Sequence, residues 1–389
     1  TAIMARALGI PAVVGIDDMA TSVVGGDLVI IDGYRGVVII DPTEEQIEEH
    51  QARSREMKRI SQQFRSQASL PAETIDGHRL EVHANVELPT EVESAVEWGA
   101  AGIGLFRSEF IHLQSPESGE DFHYQHYVAV LKSLNGLPLT VRTLDLGGDK
   151  LPEGSVDEEN PFLGCRSIRW CLANPEPFRA QIRAILRAGV HGPVRLMLPM
   201  ITTIPELDRS LQIIDEVSDE LRTEGVEFDE NIPVGVMVEV PSLALVANHV
   251  AHRVSFLSVG SNDLVQYTLA VDRGNEQVAD LYDPLHPAVL QLISSLIRVG
   301  EEHDIRVCLC GEMASEVIHL PLLVGLGLRE FSITPQLIPE VKQVIRHLAD
   351  YEVRGLASRC MQLSDGESIS RELRLWALEN LPEVASRLI

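Results

Sequence analysis

Residues 234–263 have the sequence VGVMVEVPSLALVANHVAHRVSFLSVGSND, in which two apolar runs flank a segment of helical character. Each run is almost continuously apolar, which is typical of a strand buried on both faces of a parallel sheet. Glu239 lies at the end of the first run, and Asp263 follows the second. The stretch predicts a strand–helix–strand unit with carboxylates at the carboxyl ends of its two strands.

The same pattern recurs on both sides of this unit. Six more apolar runs, most of them followed by helical sequence, lie at residues 81–86, 103–107, 139–145, 194–200, 305–310 and 330–334. Eight buried strands that alternate with helices predict an α/β fold of the (β/α)8 TIM-barrel type, with the active site at the carboxyl ends of the strands. We expect this barrel to occupy residues 76–389.

The segment before the barrel has a different pattern. Residues 1–42 contain a short helical segment, TAIMARAL (1–8), and strand-like runs around the turn sequence DGYRG (32–36). Because about 40 residues rarely close a core alone, we expect residues 1–42 to be the C-terminal remnant of another domain. The sequence TEEQ that begins at Thr43 is the signature of a capping box, so residues 43–75 are predicted to be a helical linker.

The composition limits the kinds of partner. The 389 residues carry a formal net charge of −26, and such a surface repels nucleic acid and anionic membranes. No apolar run is long enough to span a bilayer, and the five cysteines lack the spacing of a disulfide framework, so we expect a cytoplasmic protein. Cys308 and Cys310 have no second Cys/His pair at zinc spacing, which argues against a zinc site.

Glu239 and Asp263 are candidate metal ligands. Neighbouring parallel strands lie about 4.8 Å apart, so carboxylates at the ends of adjacent strands can converge on one cation. Two carboxylates that leave the other positions to water and substrate oxygens are the usual ligands of Mg2+ in phosphoryl-transfer sites. The alternative is that Glu239 caps a helix beginning at Pro241 and that Asp263 only begins a helix of its own.

Five basic residues are candidate ligands of an anion: Arg107, Arg142, Lys150, Arg166 and Arg273. Arg107 and Arg142 lie in apolar strands, where an unpaired guanidinium group is costly. One such arginine alone is more often a buried ion-pair partner. Several arginines that converge on the mouth of one barrel indicate a different role, especially in so acidic a chain. They predict a small polyanionic ligand that is held by bidentate contacts. Lys150 ends the flexible sequence GGDK, which by itself is a weak phosphate motif.

Two further residues lie at the ends of predicted strands. Asn262 is a candidate donor to the same anion. Cys310 ends the seventh run beside Gly311, so its thiol is a candidate for the pocket, although a free cysteine is more often an inert small hydrophobe. Together the candidates predict a ligand with phosphate and carboxylate groups, bridged by Mg2+, in a site suited to phosphoryl transfer.

Six motifs, in this order, resemble the phosphoenolpyruvate-binding barrel of one family. They are GIGLFRSEF (102–110), RTLDLGGDK (142–150), NPFLGCRSIR (160–169), GVMVEVPS (235–242), SVGSNDLVQYTLAVDRGN (258–275) and CLCGEMAS (308–315). The family is enzyme I, the phosphoenolpyruvate–protein phosphotransferases that start the bacterial phosphotransferase system. The resemblance covers nearly the whole chain. It implies a phosphotransferase built on this barrel.

The resemblance implies a role for each candidate residue. The substrate-binding residues are Arg107, Arg142, Arg166, Arg273 and Asn262, with Lys150 as a further candidate. Glu239 and Asp263 are implied to hold Mg2+, and Cys310 is implied to be the acid that protonates the enolate carbon to give pyruvate. A thiol suits this step because it is neutral near pH 7. Ser108 and Ser261 stand where many relatives have threonine, and serine keeps the hydroxyl group at these positions.

The resemblance also implies partners. Residues 1–16 are similar to the end of the family's swivelling phosphohistidine domain, so the phospho-accepting histidine is expected directly before Thr1. The phosphoryl group then passes to a small phosphocarrier protein, HPr-like or of the nitrogen type. Members of the family dimerise through the barrel, which implies a homodimer. VEVPS (238–242), DGYRGVVIIDP (32–42) and DPLHPAVL (283–290) are closer to the nitrogen-related paralogue than to the sugar-system enzyme.

Three other functions stay open at this point. A pyruvate phosphate dikinase or phosphoenolpyruvate synthase shares the barrel and the swivelling domain, but it needs a nucleotide-binding domain. A Mg-dependent lyase or aldolase also binds a pyruvate enolate, but it has no need of the domain remnant at residues 1–42. A non-enzymatic phosphoenolpyruvate sensor has no need of the intact set of acids, arginines and Cys310.

Overall fold

The computed structural model describes residues 10–16, 22–33, 35–114, 119–147 and 160–381. The chain forms two compact units, Thr1–Gln67 and Ala68–Ile389. None of the helices in the described ranges is long and apolar enough to cross a membrane. Two sequence predictions fall outside these ranges, namely the helix at residues 1–8 and the position of Lys150.

The first unit contains a two-stranded hairpin. Strands β1 (Val29–Asp32) and β2 (Val37–Ile40) pair antiparallel. Both are short and apolar, and they flank the turn sequence at residues 32–36. The strands predicted around that turn sequence are therefore confirmed, and they pair as a hairpin.

A long helix follows the hairpin. Helix α1 (Glu44–Ser66) begins after Thr43, whose hydroxyl group accepts a hydrogen bond of 3.3 Å from the Gln46 N–H. The Gln46 side chain in turn accepts a 2.9 Å hydrogen bond from the Thr43 N–H. This reciprocal pair is the capping box that the sequence predicts, and it satisfies two backbone donors at the start of the helix.

The second unit is a closed barrel of eight parallel strands. After the short strand β3 (Ala72–Glu73), the barrel strands are β4 (Arg79–Val86), β5 (Ile103–Arg107), β6 (Leu139–Arg142), β7 (Val194–Leu198), β8 (Val234–Val238), β9 (Phe256–Gly260), β10 (Arg306–Cys310) and β11 (Glu330–Ile333). Each barrel strand bonds to the next in chain order, and β11 pairs with β4, so the sheet closes on itself. The predicted (β/α)8 TIM barrel is confirmed.

Helices connect the barrel strands. In chain order they are α2 (Val92–Glu97), α3 (Glu109–Gln114), α4 (Glu120–Leu134), α5 (Ile168–Ala173), α6 (Pro175–Ala188), α7 (Ile204–Glu224), α8 (Pro241–Leu245), α9 (Ala247–Ala251), α10 (Ser261–Leu269), α11 (Pro287–His303), α12 (Glu312–Ser315), α13 (Leu320–Gly325), α14 (Ile338–Ile345), α15 (Asp350–Cys360) and α16 (Gly366–Asn380). Helix α6 is strongly amphipathic: Phe178, Ile182 and Ile185 form a fully buried stripe along it.

The barrel strands are apolar on both faces because both faces are buried. In β8, Val236 and Val238 belong to the large core shared with the helices. Met237, which points to the opposite face, belongs to a separate small cluster with Leu105, Met197, Phe256 and Cys310. The small cluster fills the barrel interior, as side chains do in barrels of this size.

Three strands are shorter than the apolar runs that predicted them, because each strand ends a few residues before its run does. β6 ends at Arg142, β7 at Leu198 and β8 at Val238. The chain leaves the sheet at these points, so Asp145 and Glu239 lie in the loops at the carboxyl end of the barrel. The residues in these loops form the candidate site.

Candidate active site

Arg142 and Arg166 share one carboxylate, that of Asp145. The Asp145 Oδ2 atom lies 3.2 Å from Arg142 Nη2, and its Oδ1 atom accepts a 3.1 Å hydrogen bond from Arg166 Nη2. All three side chains are buried. Asp145 thus brings two of the predicted substrate-binding arginines together at the carboxyl end of the barrel.

A second carboxylate also binds Arg142. Glu109, in the first turn of α3, is 1% exposed and accepts a hydrogen bond from Arg142 Nη2. Burial by itself lowers the pKa of Arg142, but the negative charges of Glu109 and Asp145 outweigh burial and raise the pKa above its usual value. Arg142 therefore keeps its positive charge inside the barrel.

The loop that carries Arg166 is held in an unusual conformation. The guanidinium group lies 5.7 Å from the centroid of the Phe162 ring, and Nη1 donates a 3.4 Å hydrogen bond to the Tyr267 hydroxyl. Gly147 packs against Arg166 so closely that a Cβ atom there would lie 2.3 Å from the Arg166 Cβ. Ser167 has a positive φ of 57°. This packing and backbone geometry fix the direction of the Arg166 side chain.

Glu239 directly follows β8 and is buried. Its Oε1 atom accepts a 2.6 Å hydrogen bond from the Met200 N–H. Gly260, at the end of the neighbouring strand β9, leaves room for the carboxylate, because a Cβ atom at this position would lie 2.9 Å from Oε2. Met200, after β7, and Gly260, at the end of β9, therefore hold the Glu239 carboxylate from the two sides of β8.

Asp263 lies in the first turn of α10, directly after β9, and is 8% exposed. Its Oδ1 atom lies 3.8 Å from Arg273 Nη2 and 3.9 Å from Arg166 Nη1, yet it accepts no hydrogen bond from the described part of the chain. Burial, followed by the charges of Asp263 and Asp145, raises the pKa of Glu239 well above its usual range. Glu239 and Asp263 are therefore close enough to repel each other.

The pair formed by Glu239 and Asp263 fits a divalent cation. The Asp263 Oδ1 atom is buried and accepts no hydrogen bond from the described residues, and the pKa of the neighbouring Glu239 stays raised despite the charges of Arg142 and Arg166, so a bound cation would stabilise both carboxylates. Mg2+ prefers oxygen ligands and commonly uses one or two carboxylates. The alternative role for Glu239 as a helix cap does not fit, because the N-cap of α8 is Val240 and no side chain of the described structure caps it.

Cys310 ends β10 and is 3% exposed. It pairs in register with Gly260, the residue against which the Glu239 carboxylate packs. Its Sγ atom lies 3.1 Å from Ser258 Oγ. Burial raises the pKa of the Cys310 thiol to about 11, and the charge of Glu239 acts in the same direction. The thiol is therefore neutral at pH 7 and keeps its proton.

Arg107 lies beside Arg142 on the neighbouring strand, and the two residues pair in register. The Arg107 guanidinium group donates a hydrogen bond to Glu87, which lies just after β4. Burial raises the pKa of Glu87, and Arg107 partly counteracts this rise. Arg107 is more accessible than Arg142, with 22% of its side chain exposed.

Two other predicted residues lie around α10. The Asn262 Oδ1 atom accepts a 2.9 Å hydrogen bond from the Glu312 N–H, so the amide oxygen is directed toward the loop after β10. Arg273 lies beyond the end of α10, with 38% of its side chain exposed and its guanidinium group near Asp263. Lys150 lies outside the described residues.

The barrel and its site match one family. A family model described as the PEP-binding domain of PEP-utilising enzymes matches residues 61–350. The chain belongs to the PEP-utilising enzymes. A second model, described as the mobile domain of PEP-utilising enzymes, matches residues 1–36. All of the candidate site residues lie within the first match.

Two relatives of this PEP-utilising chain have the same name. Proteins named phosphoenolpyruvate-protein phosphotransferase from Staphylococcus carnosus and from Cupriavidus necator are each 41% identical to it, over 95% and 96% of the chain. The chain spans 65% of the length of these curated relatives. A citrate lyase structure from Burkholderia xenovorans covers 82% of this chain and 99% of its own, with 14% identity and a TM-score of 0.43, a likeness too low to carry an argument.

Several residues of the site in this PEP-utilising chain were not among the sequence candidates. Glu109, Glu87 and Asp145 neutralise the arginines, and Met200 and Ser258 contact the predicted metal ligand and the thiol. Asp145 can be recognised in the sequence, with Arg142, as a polar residue at the end of an apolar run, but that position alone assigns it no role. The others have no local signal, because their roles depend on contacts between distant parts of the chain.

A second group of metal-ligating side chains lies at the opposite end of the barrel, near the beginning of β10 and β11. Glu81, His83 and Glu330 present ligand atoms within 4.8 Å of one another. Arg306 Nη1 lies 3.2 Å from Glu81 Oε2 and 2.8 Å from Glu330 Oε1, and Arg195 Nη1 lies 3.8 Å from Glu330 Oε2. Two guanidinium groups already balance the two carboxylates, so this group is an ion-pair network rather than the predicted magnesium site.

Proposed function

We propose that this chain is the substrate-binding part of a phosphoenolpyruvate–protein phosphotransferase of the nitrogen-related type. The phosphoryl group of phosphoenolpyruvate passes to a histidine of the mobile domain and then to a small phosphocarrier protein, HPr-like or of the nitrogen type, and pyruvate is released. The name of the relatives supports the reaction. The resemblance of the sequences VEVPS (238–242) and DPLHPAVL (283–290) to the nitrogen-related paralogue supports the type.

One observation carries the proposal: cationic, acidic and proton-donating side chains converge at the carboxyl end of one barrel. Arg142 and Arg166 are bound to a common carboxylate, the charge of Asp263 acts on Glu239 nearby, and Cys310 keeps a neutral thiol beside them. A ligand that has a phosphate, a carboxylate and a carbon to be protonated suits all three groups. Phosphoenolpyruvate is such a ligand.

The arginines bind the anionic groups of the substrate. Asp145 holds one side of Arg142 and Arg166, which preorganises both guanidinium groups and leaves other N–H donors for phosphate or carboxylate oxygens. Arg107 and Arg273 are more exposed, and they bind the outer oxygens of the ligand. Asn262 and Lys150 are the further substrate-binding residues that we propose.

Glu239 and Asp263 hold Mg2+ in this proposal. When bound there, Mg2+ supplies positive charge that offsets the charge of the transferring phosphoryl group and of the enolate. Met200 keeps Glu239 Oε1 in place through its N–H. The burial of both carboxylates strengthens their interaction with positive charge.

Cys310 supplies the proton that completes pyruvate. Transfer of the phosphoryl group breaks the P–O bond of phosphoenolpyruvate and leaves the enolate of pyruvate. The S–H bond of Cys310 then breaks as its proton forms a C–H bond with the methylene carbon, and the thiolate regains a proton from solvent. The raised pKa of the buried thiol ensures that the proton is present when the enolate forms.

Calorimetric titration with phosphoenolpyruvate tests the proposal. We expect one ligand to bind per chain in the presence of Mg2+, and we expect EDTA to weaken binding about tenfold or more. Arg166→Gln should abolish this binding, whereas Arg253→Gln, which changes an arginine paired with Asp208 on the outer surface, should leave it unchanged. A wild-type chain that binds no phosphoenolpyruvate at millimolar concentration contradicts the proposal.

The same preparation distinguishes the alternatives. Turnover of a 2-oxo acid with an aldehyde favours a Mg-dependent lyase or aldolase, and coupling of phosphoenolpyruvate formation to a nucleotide favours a pyruvate phosphate dikinase or phosphoenolpyruvate synthase. We also propose that the protein is a homodimer through the barrel, as the family resemblance implies. Sedimentation at micromolar concentration should give twice the mass of one chain.

A further inference from the structure

A network of buried hydrogen bonds runs from helix α6 to the segment from Arg142, the last residue of β6, to Asp145 in the loop that follows. The Gln181 Nε2 atom donates to Ser108 Oγ over 2.7 Å, and Ser108 Oγ donates to the Arg142 carbonyl oxygen over 2.6 Å. On its other side, the Gln181 Oε1 atom accepts a 2.9 Å hydrogen bond from the Leu144 N–H. Gln181 therefore reaches the loop at two points, once directly and once through Ser108.

The donor and the acceptor of each hydrogen bond around Gln181 follow from the groups that it contacts. The Gln181 amide group also donates to the Tyr127 hydroxyl over 3.1 Å, so both of its N–H bonds and its oxygen are used. Because Ser108 Oγ accepts from Gln181, its own proton is available for the Arg142 carbonyl oxygen. The side chains of Gln181, Ser108 and Tyr127 are completely buried. Water cannot replace any lost partner, so each bond is costly to break.

The position of Gln181 is unusual for a structural residue. It lies on the apolar stripe of α6, between Phe178 and Ile182, where packing alone calls for an apolar side chain. A buried polar side chain on such a stripe is retained when its hydrogen bonds fix a particular arrangement. Here that arrangement is the backbone from Arg142 to Leu144.

The held segment is the part of the site that orients two arginines. Arg142 contacts the ligand in the proposed function, and Asp145, one residue beyond Leu144, binds both Arg142 and Arg166. The Thr143 N–H adds a third anchor, a 2.9 Å hydrogen bond to the Met197 carbonyl oxygen. A shift of this segment therefore moves both guanidinium groups relative to the metal ligands.

We infer that Gln181 and Ser108 are positioning residues that hold the segment from Arg142 to Asp145 in the geometry that binds phosphoenolpyruvate. The inference rests on the proposed function. Gln181 itself lies on a helix outside the barrel and acts only through Ser108 and the Leu144 N–H. The hydroxyl group of Ser108, rather than its size, is the part that matters for binding.

Four variants of the full chain separate positioning from general stability. Ser108→Ala removes the hydroxyl group, and Ser108→Thr keeps it. Ser210→Ala is the matched control: Ser210 is also fully buried and bonds to a backbone carbonyl oxygen, that of Glu206, but it lies on α7 away from the site. Gln181→Met is a second test, since it keeps the length and burial of the side chain and removes its hydrogen bonds.

Affinity for phosphoenolpyruvate with Mg2+, measured by calorimetry, and the melting temperature are determined for each variant. We expect Ser108→Ala and Gln181→Met to weaken binding about tenfold, because each loses a buried hydrogen bond. Ser108→Thr should restore binding to within about twofold of the wild type. Ser210→Ala should leave the affinity unchanged.

The possible outcomes distinguish a failure of the positioning role from a failure of the proposed function. If the wild type binds phosphoenolpyruvate and Ser108→Ala binds it equally well, the positioning role is wrong and the proposed function stands. If Ser108→Thr is as weak as Ser108→Ala, the hydroxyl group is not the cause, which also overturns the inference. If the wild type does not bind phosphoenolpyruvate, the proposed function fails and the inference fails with it.

Discussion

Met200 and Glu239 are joined by a hydrogen bond that fixes one oxygen of the candidate metal site. The Met200 N–H donates to Glu239 Oε1 over 2.6 Å, and the Met200 backbone has a positive φ of 57°. Residues with a long side chain rarely adopt this conformation. The bond satisfies Oε1 and leaves Oε2, next to Gly260, as the oxygen that can take part in cation binding.

Glu239→Gln should abolish the magnesium dependence of phosphoenolpyruvate binding. The variant keeps an oxygen that can accept from the Met200 N–H, but it replaces the other oxygen with an amide group and removes the negative charge. We expect affinity in Mg2+ to fall about tenfold to a hundredfold, with little further change in EDTA. Asp304→Asn, at an exposed C-cap with a φ of 53° that asparagine tolerates, is the control and should behave as the wild type. A Glu239→Gln variant that still responds to EDTA contradicts the role of this carboxylate.

Cys310→Ala should stop proton transfer at carbon without affecting substrate binding. The reverse of the proposed protonation step exchanges the methyl protons of pyruvate with solvent, and NMR in D2O with Mg2+ detects this exchange. We expect the exchange rate to fall about a hundredfold, because general acid–base catalysis is lost, and the affinity for phosphoenolpyruvate to change by less than about twofold. Cys360→Ala, another fully buried cysteine, is the control on α15. Undiminished exchange in Cys310→Ala removes this residue from the mechanism.

Ser167→Gly should stabilise the fold. Ser167 has φ of 57° and ψ of −128°, a conformation that favours glycine, and its buried Oγ atom finds no hydrogen-bond partner among the described residues. Such strain costs about 1–3 kcal/mol, and glycine loses up to about 1 kcal/mol through its greater freedom when unfolded. We expect the free energy of unfolding in urea to rise by about 1 kcal/mol. Ser210→Gly, inside helix α7, should instead lower it, and a similar loss in both variants is the result that argues against strain at Ser167.

Stability should fall in acid because of a buried histidine. Burial, followed by the charges of His112 and His126, lowers the pKa of His123 to about 4. Below its ordinary value near 6.5 the unfolded histidine binds a proton that the folded one does not, so the stability from His123 is complete above about pH 6.5 and is lost as the pH falls toward 4. The loss reaches about 3 kcal/mol.

His123→Phe should flatten this part of the stability curve. The free energy of unfolding of the wild type should decrease between pH 6.5 and 4 more steeply than that of the variant, as measured by urea denaturation at each pH. His249→Gln, which changes an exposed histidine on α9, should retain the wild-type slope. Equal slopes in the wild type and in His123→Phe contradict the assignment.

The barrel, and the polar residues near the carboxyl ends of its strands, could be predicted because both depend on local pattern. A strand buried on two faces needs a nearly continuous apolar run, and the barrel rule then directs attention to the residue at which each run ends. Glu239, Asp263 and Cys310 were found in this way. Their chemical roles, like the domain boundaries, stay predictions.

Residues whose roles depend on tertiary contacts could not be predicted. Glu87 meets Arg107 across two strands, and Glu109 meets Arg142 from another helix, so no spacing in the sequence reveals either pair. Gln181 had a partial signal, a polar residue on the apolar stripe of α6, but its partners Ser108 and Leu144 are brought to it only by the fold. The early ends of β6 and β8 were also not visible, because the apolar runs continue into the loops.

The most direct test is a crystal structure of the chain with phosphoenolpyruvate and Mn2+, in which anomalous scattering locates the metal. We expect the metal to be bound by Glu239 and Asp263, the phosphate to contact Arg142 and Arg166, and the methylene carbon of the ligand to face the Cys310 Sγ atom. A metal bound instead by Glu81, His83 and Glu330, or a ligand away from the carboxyl end of the barrel, would contradict the account.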